Sequence, residues 1–273
     1  MRRRLAAGLL ALCACSGAPA AAAADDNAAR AFWQGRAHQL RAGTLQETSI
    51  AAAWPALQQA TAEDGARAVV VYLHGCDGIG ATGAKTADLL ASAGYLVLAP
   101  DSFARRDKPV SCDPVLQRAG LHREVLGWRH DEARYAIAQA RTLPGGERRP
   151  LVLMGFSEGA IAVATYDGDA VDARVIEGWT CHAAWPEYRG LNAPVTQPVL
   201  ALVAQHDPWF TAAALRGDCG DFMGPPSAWR VSIVFRPPHP AAAQHDLLWH
   251  ADARRALLGF LDALPTGRPA QSR

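Results

Sequence analysis

Six short apolar runs stand out along the chain: Ala68–Leu73, Tyr95–Ala99, Leu151–Met154, Ala173–Ile176, Val199–Val203 and Val231–Phe235. They are apolar nearly throughout, not alternating, which suits strands covered on both faces of a parallel sheet. Between them the apolar positions recur at helical spacing. Helices are predicted over Thr82–Ala93, over Glu132–Thr142, from Ser157 through Tyr166, and over Arg254–Leu264. The last carries Leu257, Leu258, Phe260, Leu261 and Leu264 on one face. Strand alternating with helix predicts a doubly wound, mostly parallel α/β sheet with helices on both faces. Ala28–Leu40 also reads as helical. No internal repeat and no Gly/Ser linker divides the chain.

Positions 1–24 carry a different pattern. Arg2, Arg3 and Arg4 precede an apolar run from Leu5 to Ala14, and Ala22-Ala23-Ala24 offers a small-residue cleavage site before Asp25. That order is an export signal, leaving residues 25–273 as one mature domain. The apolar run is too short to cross a bilayer, which takes about 20 residues. Leu12-Cys13-Ala14-Cys15 also loosely matches a lipobox, so a lipid anchor on Cys15 stands beside soluble export. Both routes lead out of the cytoplasm, to the periplasm or beyond.

Composition narrows the picture further. The chain has 273 residues, half of them hydrophobic, enough for one domain with a sizeable core. With 27 basic and 26 acidic side chains the net charge is +1, which gives no reason to expect nucleic acid as a partner. Loss of the leader would leave Cys76, Cys112, Cys181 and Cys219, an even set that an oxidising compartment would pair. Three pairings are possible. Cys76–Cys112 with Cys181–Cys219 is favoured because each would tie neighbouring loops on one face. No short C-x₂-C spacing suggests zinc.

The chemistry centres on Gly155-Phe156-Ser157-Glu158-Gly159. A strand runs into it and a helix leaves it, the context of a nucleophile elbow. The helix N-terminus there favours developing negative charge. A serine needs a base, and the base needs a group to orient it. In this arrangement the acid follows the serine and the histidine comes last. Asp207 sits just past the fifth strand, where it could serve as the acid or cap a turn before Pro208. Asp218 and Asp221 come later, with no strand to deliver them. His245 is the first choice of base, His239 the second and His250 the third, all on the segment after the last strand. The backbone N–H groups of Cys76 and Glu158 are the candidate oxyanion donors. Trp179, Trp185 and Trp209 lie on loops after strands, where they can line a pocket or pack in the core.

With these residues in view, the chain resembles the dienelactone-hydrolase-like branch of the α/β-hydrolases. The resemblance rests on His74-Gly75-Cys76-Asp77-Gly78, on Gly94 through Phe103, and on the serine elbow, and runs from about Val69 to the last helix. It implies an α/β-hydrolase fold and hydrolysis of an ester through an acyl-enzyme on Ser157, with no metal or organic cofactor. Well-known members carry cysteine as nucleophile; serine here points to an ordinary carboxylic ester hydrolase. Two other readings remain: a serine peptidase for small peptides, and an inactive envelope binding protein on the same fold.

Overall fold

The computed structural model describes residues 37–41, 44–48, 67–105, 110–168, 170–225 and 227–265. The strands are β1 (Ala37–Arg41), β2 (Thr44–Thr48), β3 (Val69–Leu73), β4 (Leu96–Pro100), β5 (Cys112–Asp113), β6 (Arg118–Ala119), β7 (Leu151–Phe156), β8 (Ala173–Glu177), β9 (Val199–Ala204) and β10 (Arg230–Phe235). The helices are α1 (Gly80–Ser92), α2 (Val125–Thr142), α3 (Glu158–Thr165) and α4 (Ala251–Ala263). Eight strands form one sheet in the order β10-β9-β8-β7-β3-β4-β1-β2, and β5 pairs with β6 in a separate ribbon. From β10 to β4 every pairing is parallel, while β1 and β2 add antiparallel at the far edge.

Alternation along each strand divides the core into two layers. Val69, Val71, Leu73, Leu151 and Leu153 face Ala133, Ala136 and Ile137 of α2 and the buried α3. Val70, Tyr72, Val152 and Met154 face Leu90 of α1 and Leu257 and Leu261 of α4. Each fully buried aliphatic side chain of this kind contributes about 1.5–3 kcal/mol relative to exposure. All six predicted strands and all four predicted helices form.

Two expectations change. Ala37–Leu40 lie in β1, paired with Pro100–Val97 of β4, and not in a helix. An open sheet edge offers unpaired backbone groups, and pairing there overrides a local helical pattern. Positions 28–36, like the leader at 1–24, lie outside the described residues. The second helix starts at Val125, a full two turns earlier than Glu132. Its first turns bury Arg129 and Glu132, so charged residues occupy the inward positions and hide the apolar period.

Because β7, β8, β9 and β10 are parallel, their carboxyl ends share one edge. Ser157 follows β7, Asp207 follows β9, and His245 follows β10. In open α/β sheets that edge is where ligands bind.

Candidate active site

Ser157 occupies a backbone conformation that side chains rarely adopt, with φ 56° and ψ −117°. Such strain persists only where the surroundings over-determine it. Here the Ser157 N–H donates to the Glu177 carbonyl at 2.8 Å, and the Ser157 carbonyl accepts from the N–H groups of Ala160 and Ile161. The flanking glycines are steric necessities. A Cβ on Gly155 would stand 2.3 Å from the Gly159 carbonyl oxygen, and one on Gly159 would stand 2.0 Å from that of Leu73. The elbow therefore sits tight against both β3 and its own helix.

Ser157 Oγ lies 2.8 Å from His245 Nε2, and His245 Nδ1 lies 2.7 Å from Asp207 Oδ2. Asp207 is buried, and its second oxygen accepts the Trp209 N–H at 3.0 Å. One carboxylate thus both caps its turn and reaches the histidine. Three rings surround the imidazole: Trp209 stacked at 5.2 Å between centroids, Phe156 at 5.0 Å and Phe210 edge-on at 5.6 Å.

The other sequence candidates are engaged elsewhere. His239 Nε2 meets Asp252 Oδ2 at 2.9 Å, while Nδ1 accepts the Ala241 N–H and caps a short turn. His250 precedes α4 and packs against the His239 ring. Asp218 caps the turn at Gly220, and Asp221 meets His182.

Cys76 and Glu158 line the same cavity as Ser157. The loop carrying Cys76 is anchored from below by a buried polar cluster. His74 Nδ1 donates to the Gly75 carbonyl, and Nε2 accepts the Ser102 N–H at 3.0 Å; this pattern assigns the tautomer. The buried Arg129 donates to the His74 carbonyl, to Ser102 Oγ and to Glu132. From outside, the Cys76–Cys112 disulfide ties the loop to the β5–β6 ribbon. Cys181–Cys219 is the second bridge, between the loops after β8 and before β10. Glu158 itself accepts from the Ser111 hydroxyl, and Arg129 Nε stands 3.9 Å from its other oxygen. Burial raises the Glu158 carboxyl above its ordinary range, with the Arg129 charge opposing.

One functional neighbour was not legible beforehand. Glu177, the last residue of β8, is fully buried. Its Oε1 accepts the N–H groups of Leu247 and Leu248 at 3.1 and 3.0 Å, two and three residues after His245. The backbone of Glu177 holds Ser157, and its side chain holds the histidine loop. Burial first, and the nearby Asp246 charge second, push its carboxyl up to about 8. Its sole sequence signal is an acidic residue ending an otherwise apolar strand.

Among the described residues no group of three His, Cys, Asp or Glu is arranged to hold a metal. Nor is any described helix long and apolar enough to cross a membrane.

The profile of the dienelactone hydrolase family matches residues 56–218. A search of curated proteins finds no match. Among solved structures, an esterase from Pyrococcus furiosus superposes with a TM-score of 0.50 at 14% identity, covering 74% of this chain and 84% of that one. A dienelactone hydrolase-like promiscuous phosphotriesterase from metagenomic libraries gives 0.48 at 19% identity, covering 72% and 87%. TT1662 from Thermus thermophilus gives 0.48 at 21% identity, covering 76% and 90%. At 14% identity the likeness to the Pyrococcus furiosus esterase is one of fold alone.

Proposed function

This chain belongs to the dienelactone hydrolase family, and from that premise we propose that it is an exported serine hydrolase cleaving carboxylic esters. The observation that carries the reading is the continuous row from Ser157 Oγ through His245 to Asp207, at 2.8 and 2.7 Å. In this mechanism His245 Nε2 takes the Ser157 proton as Oγ bonds to the ester carbonyl carbon. The imidazolium then protonates the departing alkoxide, leaving an acyl-serine. A water molecule then gives a proton to His245 as its oxygen bonds to the acyl carbon, and the imidazolium passes that proton to Ser157 Oγ as the acyl–Oγ bond breaks and the carboxylic acid leaves. Asp207 holds Nδ1–H and stabilises the imidazolium. The Cys76 and Glu158 N–H groups receive the oxyanion, each worth about 3 kcal/mol in the transition state.

Export follows from the leader at 1–24, with residues 25–273 as the mature domain. Two disulfides favour an oxidising compartment. The test is a fluorophosphonate probe on the mature protein, with the adduct mapped by mass spectrometry. An adduct on Ser157 that disappears in His245→Ala and persists in His239→Ala is the expected result. A folded protein that takes no adduct overturns the reading.

A further inference from the structure

Two cavities open on Ser157, and they differ in chemistry. The first, about 210 Å³, lies over Ile161 between Trp179, Trp185, Tyr188, Phe210 and Leu215. The second, about 290 Å³, is bounded by His245, by the glycine loop from Gly75 to Gly80 with the exposed Asp77, and by Thr82. Cys76, Ser157 and Trp209 belong to both walls.

The direction of proton transfer distinguishes their uses. If His245 protonates the leaving oxygen, the alcohol must lie on the side that His245 lines. The acyl substituent then lies on the other, among the aromatic rings. An apolar cavity of about 150 Å³ holds benzene, so the first cavity has room for one ring with a short spacer. None of its described lining side chains is cationic. A carboxylate entering it would be desolvated against apolar side chains with no cation among the described lining to pair it. The second cavity offers polar groups and backbone to an alcohol.

We propose that the cavity over Ile161 is an acyl site for an uncharged aromatic or aryl-alkyl group, and that the alcohol leaves through the His245 side. This rests on the Ser157 acyl-enzyme reading. The reaction it specifies takes water and an aryl-alkyl carboxylic ester to the free acid and the alcohol. Aromatic edge and face contacts with Trp185, Tyr188 and Phe210 would hold the ring and orient the carbonyl over Ser157.

The test uses two esters of identical composition, methyl phenylacetate and benzyl acetate. Both have an unconjugated carbonyl and an alkyl leaving group; only the side of the ring differs. The expected kcat/KM favours methyl phenylacetate by about tenfold or more, which is about 1.4 kcal/mol of transition-state binding. Trp185→Ala, at a half-buried position, is expected to reduce that ratio to within about threefold. Monomethyl succinate, whose acyl group is anionic, is expected to be the slowest of the three. Equal rates, a preference for benzyl acetate, or rapid cleavage of monomethyl succinate would overturn the acyl-site assignment while Ser157 still takes the fluorophosphonate. A protein that takes no probe and cleaves no ester overturns the assignment together with the reading beneath it.

Discussion

Replacing Glu177 by Gln tests whether a buried acid links the nucleophile to its base. Glu177 is pushed from about 4.5 to about 8 by burial. The folded protein therefore holds a proton there that the unfolded chain releases near its ordinary value. Over that window the unfolded state binds fewer protons, so stability falls as pH rises from about 4.5 and levels off above about 8. Between pH 5 and pH 8 the loss amounts to about 3 kcal/mol for a rise of this size. Gln is close in shape to the protonated acid and keeps an acceptor for the Leu247 and Leu248 N–H groups. It carries no proton to lose. In a chain of this size about 3 kcal/mol moves the melting temperature by roughly 6–12 °C. The assay is thermal unfolding of both proteins across this pH range. Taking the difference between them cancels the titration of every other group. The wild type should lose ground to Glu177→Gln steadily as pH rises. Parallel curves would refute the reasoning, because they would mean Glu177 ionises at the same pH folded and unfolded.

The remaining expectations concern the same framework. Glu177→Ala strands two buried N–H donors at about 1–3 kcal/mol each; kcat for ester cleavage should fall well below that of Glu177→Gln, because the loop after His245 loses its anchor. Asp207→Asn should lower kcat by about 10⁴-fold with the fold intact, since an amide can turn its N–H toward His245 Nδ1 and favour the wrong tautomer; a small effect in steady-state kinetics would show that Asp207 only caps its turn. Cys112→Ser opens a loop of 36 residues, worth about 4 kcal/mol of unfolded-state entropy; chemical denaturation should register that loss, together with slower labelling of Ser157 as the Cys76 loop loosens. Gly159→Ala places a methyl group 2.0 Å from the Leu73 carbonyl oxygen, and should abolish labelling or soluble expression.

Much of this architecture was legible because its signals are local. A strand buried on both faces must be apolar throughout, and Val69–Leu73 and Val199–Ala204 are. The elbow was legible because only glycine fits at Gly155 and Gly159, so the steric demand appears directly as residue type. Position just past a strand favoured Asp207, and position on the loop before the last helix favoured His245, with His239 still in contention. The β1 strand was not legible, since the β4 strand it pairs with lies some sixty residues away. Arg129 and Glu132 misled the helix reading because they pair with each other inside the fold and so can be buried.

By itself, then, the sequence determined the α/β alternation, the serine elbow, and the short set of acids and histidines from which a site could be drawn. Tertiary structure alone decided which histidine meets the serine. His239 and His245 lie six residues apart on one segment, and composition cannot separate them. What separates them is the partner each one reaches: Asp252 on α4 for His239, and Asp207 on the loop after β9 for His245. The role of Glu177 was likewise decided in three dimensions. A carboxyl is driven to hold its proton by desolvation, and desolvation depends on everything packed around it, not on its neighbours in the chain.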